Sequence, residues 1–197
     1  VGWGAVIKVL RTSDTERPLR PDDECAPGES GFVWLNTPAL MKGYFQRDDL
    51  TALAVSEGWF LTGDIGFIDE RGRLVLRGRE RDEINKGGMK IYPADIDTVV
   101  ERFAGASDVC TFALDDEIYG QAVGLAVVLG NPEDATIRAL YEWMKSQLAE
   151  HKMPVRWWVI DEIPRTSRGK INRDAVKAFC VSRDALDLSR ILDGEKP

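Results

Sequence analysis

The sequence predicts an α+β fold in two parts. A small β-barrel-like or sandwich-like unit covers residues 1–80, a compact α+β domain covers residues 81–180, and a polar tail covers residues 181–197. Three observations predict this. Short β-prone runs in the first half are broken by Pro, Gly and Asp clusters. The apolar period changes to a helical one soon after residue 81. The composition, 44% hydrophobic and 30% charged, is that of a soluble globular chain.

In the first half, "AVIKVL", "GFVWL", "WFLTGDIGFI" and "RLVL" read as strands. They are separated by "RPDDECAPGES", "NTP" and "DERGR". "DERG" is a hairpin-turn signal, because Asp bonds its own backbone and Gly tolerates the turn's backbone angles. In the second half, "EIN" and "MKI" supply a first strand. "PADIDTVVERF" places Ile96, Val99, Val100 and Phe103 on one helical face, with Pro93 where a helix start tolerates it. "DVCTFAL" and "QAVGLAVVL" follow as strands. "EDATIRALYEWMKSQLAE" is a second amphipathic helix, carrying Ile137, Leu140, Tyr141, Met144 and Leu148 on one face. "VRWWVID" is a strand and "RDAVKAF" a short closing helix. A compact α+β domain of about 100 residues results. The tail mixes Leu186, Leu188 and Leu192 with charges and is read as a frayed terminus rather than a docked helix.

Composition also excludes. A formal net charge of -7 argues against a generic nucleic-acid binder, which needs a basic face, but leaves room for a local anion site. Cys25, Cys110 and Cys180 form no CxxC pair and fit a reducing cytoplasm. His151 has no Cys or His neighbour at metal spacing, so no metal site is expected. No apolar run approaches the roughly 20 residues of a membrane helix, so no membrane span is expected. The N-terminal residues have the wrong order for a signal peptide and no initiating Met, which reads as an internal cut.

Three stretches carry candidate chemistry. In "GWFLTGD", Asp64 reads as a buried carboxylate at a strand end, placed to accept hydrogen bonds from a ligand's hydroxyls. Read locally, an Asx turn to its own backbone is the plainer alternative. In "GRERDEINKGGMKIYP", Arg79 offers a planar fork to a diol or phosphate. Gly87 and Gly88 permit close backbone approach or a simple hairpin turn. "PRTSRGKINRD" holds Arg165, Arg168, Lys170 and Arg173 with no acid before Asp174. Gly169 loosens the loop at Lys170, an ammonium suited to phosphate or carboxylate oxygens. The flanking arginines raise the local potential and would steer an anion inward. The plainer reading is a basic surface loop.

In this order, and with "GESGFVWLNTPALMKGYFQRDDLT" upstream, these motifs closely resemble the adenylate-forming superfamily over roughly residues 20–180. That superfamily includes acyl- and aryl-CoA synthetases, peptide-synthetase adenylation domains and luciferase. The resemblance implies activation of a small carboxylic acid with ATP (and Mg2+) to an acyl-adenylate. Transfer to CoA or to the phosphopantetheine of an acyl carrier protein would follow. Asp64 would bind the ribose hydroxyls, assisted by Arg79. Arg81 matches the hinge between a large N-terminal and a small C-terminal domain. Gly88 matches the loop lining the thiol path, and Lys170 matches the lysine that bridges the carboxylate and the α-phosphate. "INKGG" and "PRTSRGKINR" look more like the aryl-acid and acyl-CoA branches than the "NGKVDR" of peptide synthetases, although Asn85 and Lys86 stand where many members have Ile-Lys.

By this resemblance, residues 1–80 would be the last subdomain of the large domain. The family's "SGTTGxPKG" phosphate loop and a Walker-type loop do not occur in these 197 residues. The chain alone is therefore expected not to adenylate, and its missing N-terminal domain is an implied partner. The alternative is a non-catalytic truncated homologue that docks a carrier protein or another partner.

Overall fold

The computed structural model describes residues 4–193. The chain divides into two compact units, Val1–Arg81 and Asp82–Pro197.

The first unit is one antiparallel five-stranded sheet. Strands β1 (Val6–Leu10), β2 (Gly31–Asn36) and β4 (Trp59–Ile68) lie side by side. The other edge of β4 is shared: β3 (Val55–Ser56) pairs with its start and β5 (Leu74–Arg79) with its end. All five strands belong to one curled sheet, so the barrel-like expectation stands and the two-sheet sandwich does not. The register shifts at Ile65 and Gly66, where a Cβ on Gly66 would meet Val75 O at 2.6 Å. Only glycine permits that backbone approach. The "DERG" turn forms as expected, with Asp69 Oδ1 accepting from the amides of Arg71 (3.0 Å) and Arg73 (2.8 Å). Val9, Leu10, Val33, Trp34 and Ile65 are buried within this unit. Sequence reading missed β3 and the short helix α1 (Asp48–Ala52). Neither has the length that makes periodicity visible.

The second unit begins with a hairpin, β6 (Ile84–Lys86) and β7 (Met89–Ile91), where one strand was expected. Helix α2 (Pro93–Glu101) follows, then the long strands β8 (Ala106–Asp116) and β9 (Gly120–Leu129). Helix α3 (Asp134–Gln147), strand β10 (Arg156–Val159), helix α4 (Arg173–Val181) and helix α5 (Leu188–Asp193) complete it. β9 pairs antiparallel with β8 and parallel with β10, and meets β6 through Lys86 and Gly120.

Alternation along β8 and β9 explains their near-continuous apolar sequence. Val109, Val123, Leu125 and Val127 pack with Ile96, Val100, Ile137, Leu140, Met144 and Ile191. Cys110, Phe112, Leu114, Ala122 and Ala126 pack with Val176 and Cys180 of α4. A sheet covered on both faces has no polar face to show.

The tail corrects the expectation of fraying, as far as Asp193. Leu186 N donates to Trp157 O at 2.8 Å, and Arg138 donates to Ile191 O. Ile191 is buried in the same core as α3. The leucines of the tail are therefore docking residues, and the interspersed charges face outward. Among the described residues no helix is long and apolar enough to cross a membrane.

Candidate functional site

In the first unit, Asp64 and Arg79 are cross-strand partners on β4 and β5. Arg79 Nε lies 2.7 Å from Asp64 Oδ1. Two details differ from the expectation. Asp64 lies inside β4 rather than at its end, and its side chain keeps 23% of its exposure. The carboxylate is also not spent on an Asx turn: it faces Arg79, while its own amide donates to the Thr62 hydroxyl at 3.1 Å. Thr62 in turn donates to Val33 O at 2.9 Å, which fixes the kink before Asp64. Facing strands give the acid a set direction, and the guanidinium holds it oriented.

Arg81 is the last residue of the first unit, inside the single turn Glu80–Asp82 that joins the two units.

In the second unit, Gly87 and Gly88 form the two-residue turn between β6 and β7, with φ of +58° and +88°. Two successive positive φ values define the hairpin turn whose twist matches the strands. The turn is tied down: Gly87 N donates to Tyr119 O at 2.9 Å, and Gly88 N to Asn85 Oδ1 at 2.8 Å. A Cβ on Gly87 would meet the Tyr119 ring at 3.1 Å, whereas one on Gly88 would meet nothing within 4 Å. Open space therefore lies beside Gly88.

Lys170 is exposed at the end of a tight turn. Thr166 N donates to Lys170 O at 2.8 Å, and Gly169 N donates to Thr166 O at 2.8 Å, with Gly169 at φ +78°. The Lys170 ammonium makes no ion pair or hydrogen bond among the described residues.

The cationic cluster around Lys170 is not the free basic patch that the sequence suggested. Arg165 pairs with Asp108 at 2.6 Å. Arg173 pairs with Asp97 at 2.8 Å and lies 3.7 Å from Asp82. Two of the four cations are thus neutralised by acids distant in sequence. Lys170 and Arg168 alone among the four make no such pair with described residues.

The Arg173 network was missed by sequence reasoning. Asp97 is buried on α2 and accepts from Thr111 N at 2.8 Å as well as from Arg173. Arg173 also donates to Thr111 O at 2.7 Å. Burial pushes the Asp97 carboxyl up, against the pull of Arg173. Burial opposes the charge of Arg173, but Asp97, Cys110 and Asp82 together offset it and hold the guanidinium above its ordinary range. A signal was available: Asp97 sits on the apolar stripe of α2, between Ile96 and Val100, and an acid there requires a partner.

The hairpin β8–β9 relates the two loops of this unit. The Gly87–Gly88 turn hangs on Tyr119, beside the Asp116–Gly120 end. The Lys170 turn hangs through Arg165 on Asp108, at the other end. Eight strand steps at about 3.3 Å separate Asp108 from Asp116, or about 26 Å. The two loops occupy opposite ends of one strand pair. Among the described residues, no group of three or more His, Cys, Asp or Glu side chains converges as a metal site.

Residues 95–170 match the AMP-binding enzyme C-terminal domain. The chain carries the C-terminal domain of the AMP-binding enzymes. The 2-succinylbenzoate–CoA ligase of Geobacillus kaustophilus (strain HTA426) is 34% identical over 172 residues, 82% of this chain and 34% of that protein. A fatty acid–[acyl-carrier-protein] ligase, ScoC of Streptomyces coeruleorubidus, is 38% identical over 150 residues, 76% of this chain and 29% of that protein. The chain thus spans about a third of the length of the curated relatives that it matches. Among solved structures, the Bacillus subtilis o-succinylbenzoate CoA synthetase bound to its acyl-adenylate intermediate superimposes with a TM-score of 0.77 at 29% identity. The match covers 89% of this chain and 34% of that one. The same synthetase with ATP and magnesium ion gives a TM-score of 0.74, at 28% identity and the same coverage. These adenylate-forming relatives share the α+β fold described above.

Proposed function

We propose that this chain acts as the C-terminal part of an ATP-dependent ligase that activates a carboxylic acid as its acyl-adenylate. The acyl group then passes to a thiol, of CoA or of a carrier protein's phosphopantetheine. The observation that carries this reading is the separation of the Lys170 turn and the Gly87–Gly88 turn at opposite ends of β8–β9. One rigid unit can present either loop to a common site, but not both together. A reaction in two halves requires that alternation.

In the first half, a carboxylate attacks the α-phosphorus, which brings two anions together. Lys170 Nζ is free to contact an oxygen of each, offsetting their repulsion and stabilising the charge that develops. Asp64, oriented by Arg79, supplies acceptor oxygens for the ribose diol. Magnesium accompanies ATP, but no acidic cluster among the described residues fits it. In the second half, rotation at Arg81 withdraws Lys170 and brings in the Gly88 turn, whose open side admits a narrow thiol arm. Residues 1–81 would then act as the last subdomain of the large domain.

Pyrophosphate exchange by the full gene product across a panel of carboxylic acids tests this reading. Lys170→Ala should lower adenylation by about a hundred-fold or more, the scale of losing one charge-stabilising donor. Thioester formation from supplied acyl-adenylate should largely survive. Equal loss of both half-reactions would refute the role of Lys170. Pyrophosphate release by the isolated 197-residue chain at a normal rate would refute the division of labour.

A further inference from the structure

We propose that Arg165 and Arg173 are positioning residues for Lys170, pinning both ends of its turn to strand β8. The proposal rests on the adenylation role of Lys170 set out above. Hydrogen bonds inside the turn, among Thr166, Gly169 and Lys170, fix its shape. They do not fix where the turn points. Its direction comes from the residues on either side.

On the N-terminal side, Arg165 NH2 contacts Asp108 Oδ2 at 2.6 Å, and its NH1 reaches back to Gly169 O at 3.2 Å. One guanidinium therefore holds both the strand and the residue before Lys170. On the C-terminal side, Arg173 NH1 donates to Thr111 O at 2.7 Å and NH2 to Asp97 Oδ2 at 2.8 Å. Its Nε lies 3.7 Å from Asp82 Oδ2. Three nitrogens of one planar fork thus face three separate partners. A lysine, as a single point charge, cannot reproduce that arrangement.

Both arginines grip the same strand, at Asp108 and Thr111. Each of its faces is buried against helices. The Arg173 and Asp97 side chains keep only 21% and 10% of their exposure, so salt screens this anchor poorly. The Arg165 anchor is more exposed, at 42% and 30%, and weaker. Asp82 adds a further link, since it adjoins Arg81 and opens the second unit. The arginines beside Lys170 are therefore not chiefly anion-steering charges. They hold still the one ammonium that must meet two oxygens at once.

The test uses the full gene product with Arg173→Lys and Arg165→Gln. Both half-reactions are measured, together with the rate of trypsin cleavage after Arg168 and Lys170. Misplacing a reacting group by about an ångström costs up to about a hundred-fold, so Arg173→Lys should lower adenylation kcat by about ten-fold or more and Arg165→Gln by about three-fold. KM for ATP and thioester formation from supplied acyl-adenylate should stay within about two-fold of wild type, because neither arginine touches substrate. Cleavage at the turn should quicken while cleavage elsewhere does not.

Wild-type adenylation and wild-type cleavage in both variants would overturn the proposal. So would a parallel fall of both half-reactions, which marks a general structural role. If Arg173→Lys does not fold, Arg165→Gln decides alone, since its ion pair lies at the surface. Lys170→Ala is read separately: if it adenylates normally, the underlying reading fails and takes this proposal with it.

Discussion

Replacing Asp97 by Ala should destabilise the second unit by about 4 kcal/mol. Removing one partner of a buried ion pair costs about 3–5 kcal/mol, because the other charge is left without compensation. Here Arg173 keeps Asp82 at 3.7 Å and some access to water, which points to the lower end, about 3 kcal/mol. Asp97 also accepts from Thr111 N at 2.8 Å, and stranding that buried amide adds about 1 kcal/mol. For a domain of roughly a hundred residues, each kcal/mol lowers Tm by about 4 °C, giving a fall of about 15 °C. Asp97→Asn keeps an acceptor for both donors and loses only the charge, so its cost should be about 1–2 kcal/mol. Two units need not unfold together, so hydrogen exchange of β8 and β9 amides is the appropriate assay beside thermal melting. A fall in Tm below about 4 °C for Asp97→Ala would refute the reasoning, given the scale above. Equal damage by Asn and Ala would refute it too, by showing that the space and not the acceptor matters.

Three further outcomes are expected. Gly87→Ala should cost about 1–2 kcal/mol, from its positive φ and the approach to Tyr119, and differential scanning calorimetry would detect it. Burial pushes the Cys110 thiol up to about 12 and the Cys180 thiol up to about 11. Their neutral forms are favoured by folding, so this stability is complete below the ordinary thiol range and is lost as pH rises toward those values. In a thiol-reagent titration at pH 8, the partly exposed Cys25 should therefore react first, with Cys110 and Cys180 following only on unfolding. Arg81→Pro removes one free dihedral from the turn joining the two units. It should leave one half-reaction near wild type and suppress the other, and two intact half-reactions would argue against a hinge at Arg81.

Much of the fold was legible because its signals are local. The strands of the first unit and the helices of the second follow from runs and periods within single segments. Asp64 and Arg79 were also legible as separate candidates, but their pairing depends on the register of β4 with β5, which no single segment encodes. The tail was misread for a related reason. Leu186, Leu188 and Leu192 are too few to show a period, and what docks α5 is the far surface of α3 and β10. The cationic stretch was misread most plainly. Its acids, Asp82, Asp97 and Asp108, lie more than fifty residues upstream, so a local charge count saw four free cations where two of them pair with described acids.

Those pairings also bear on how the two loops of the second unit can be used. A mobile loop could serve one half-reaction by folding in and the other by folding out. The Lys170 turn is poorly suited to that, since Arg165 pairs with Asp108 of β8 on one side, while on the other Arg173 pairs with Asp97 of α2 and donates to Thr111 O of β8. The Gly87–Gly88 turn is likewise tied to Tyr119 and Asn85. Between them, β8 and β9 are buried on both faces and joined along their length. Bending such a hairpin would break packing on two sides at once. Exchange of one loop for the other is therefore far easier as rotation of the whole unit than as motion within it. Under the proposed function, the backbone change of such a rotation would fall at Arg81 and Asp82, where the first unit ends and the second begins.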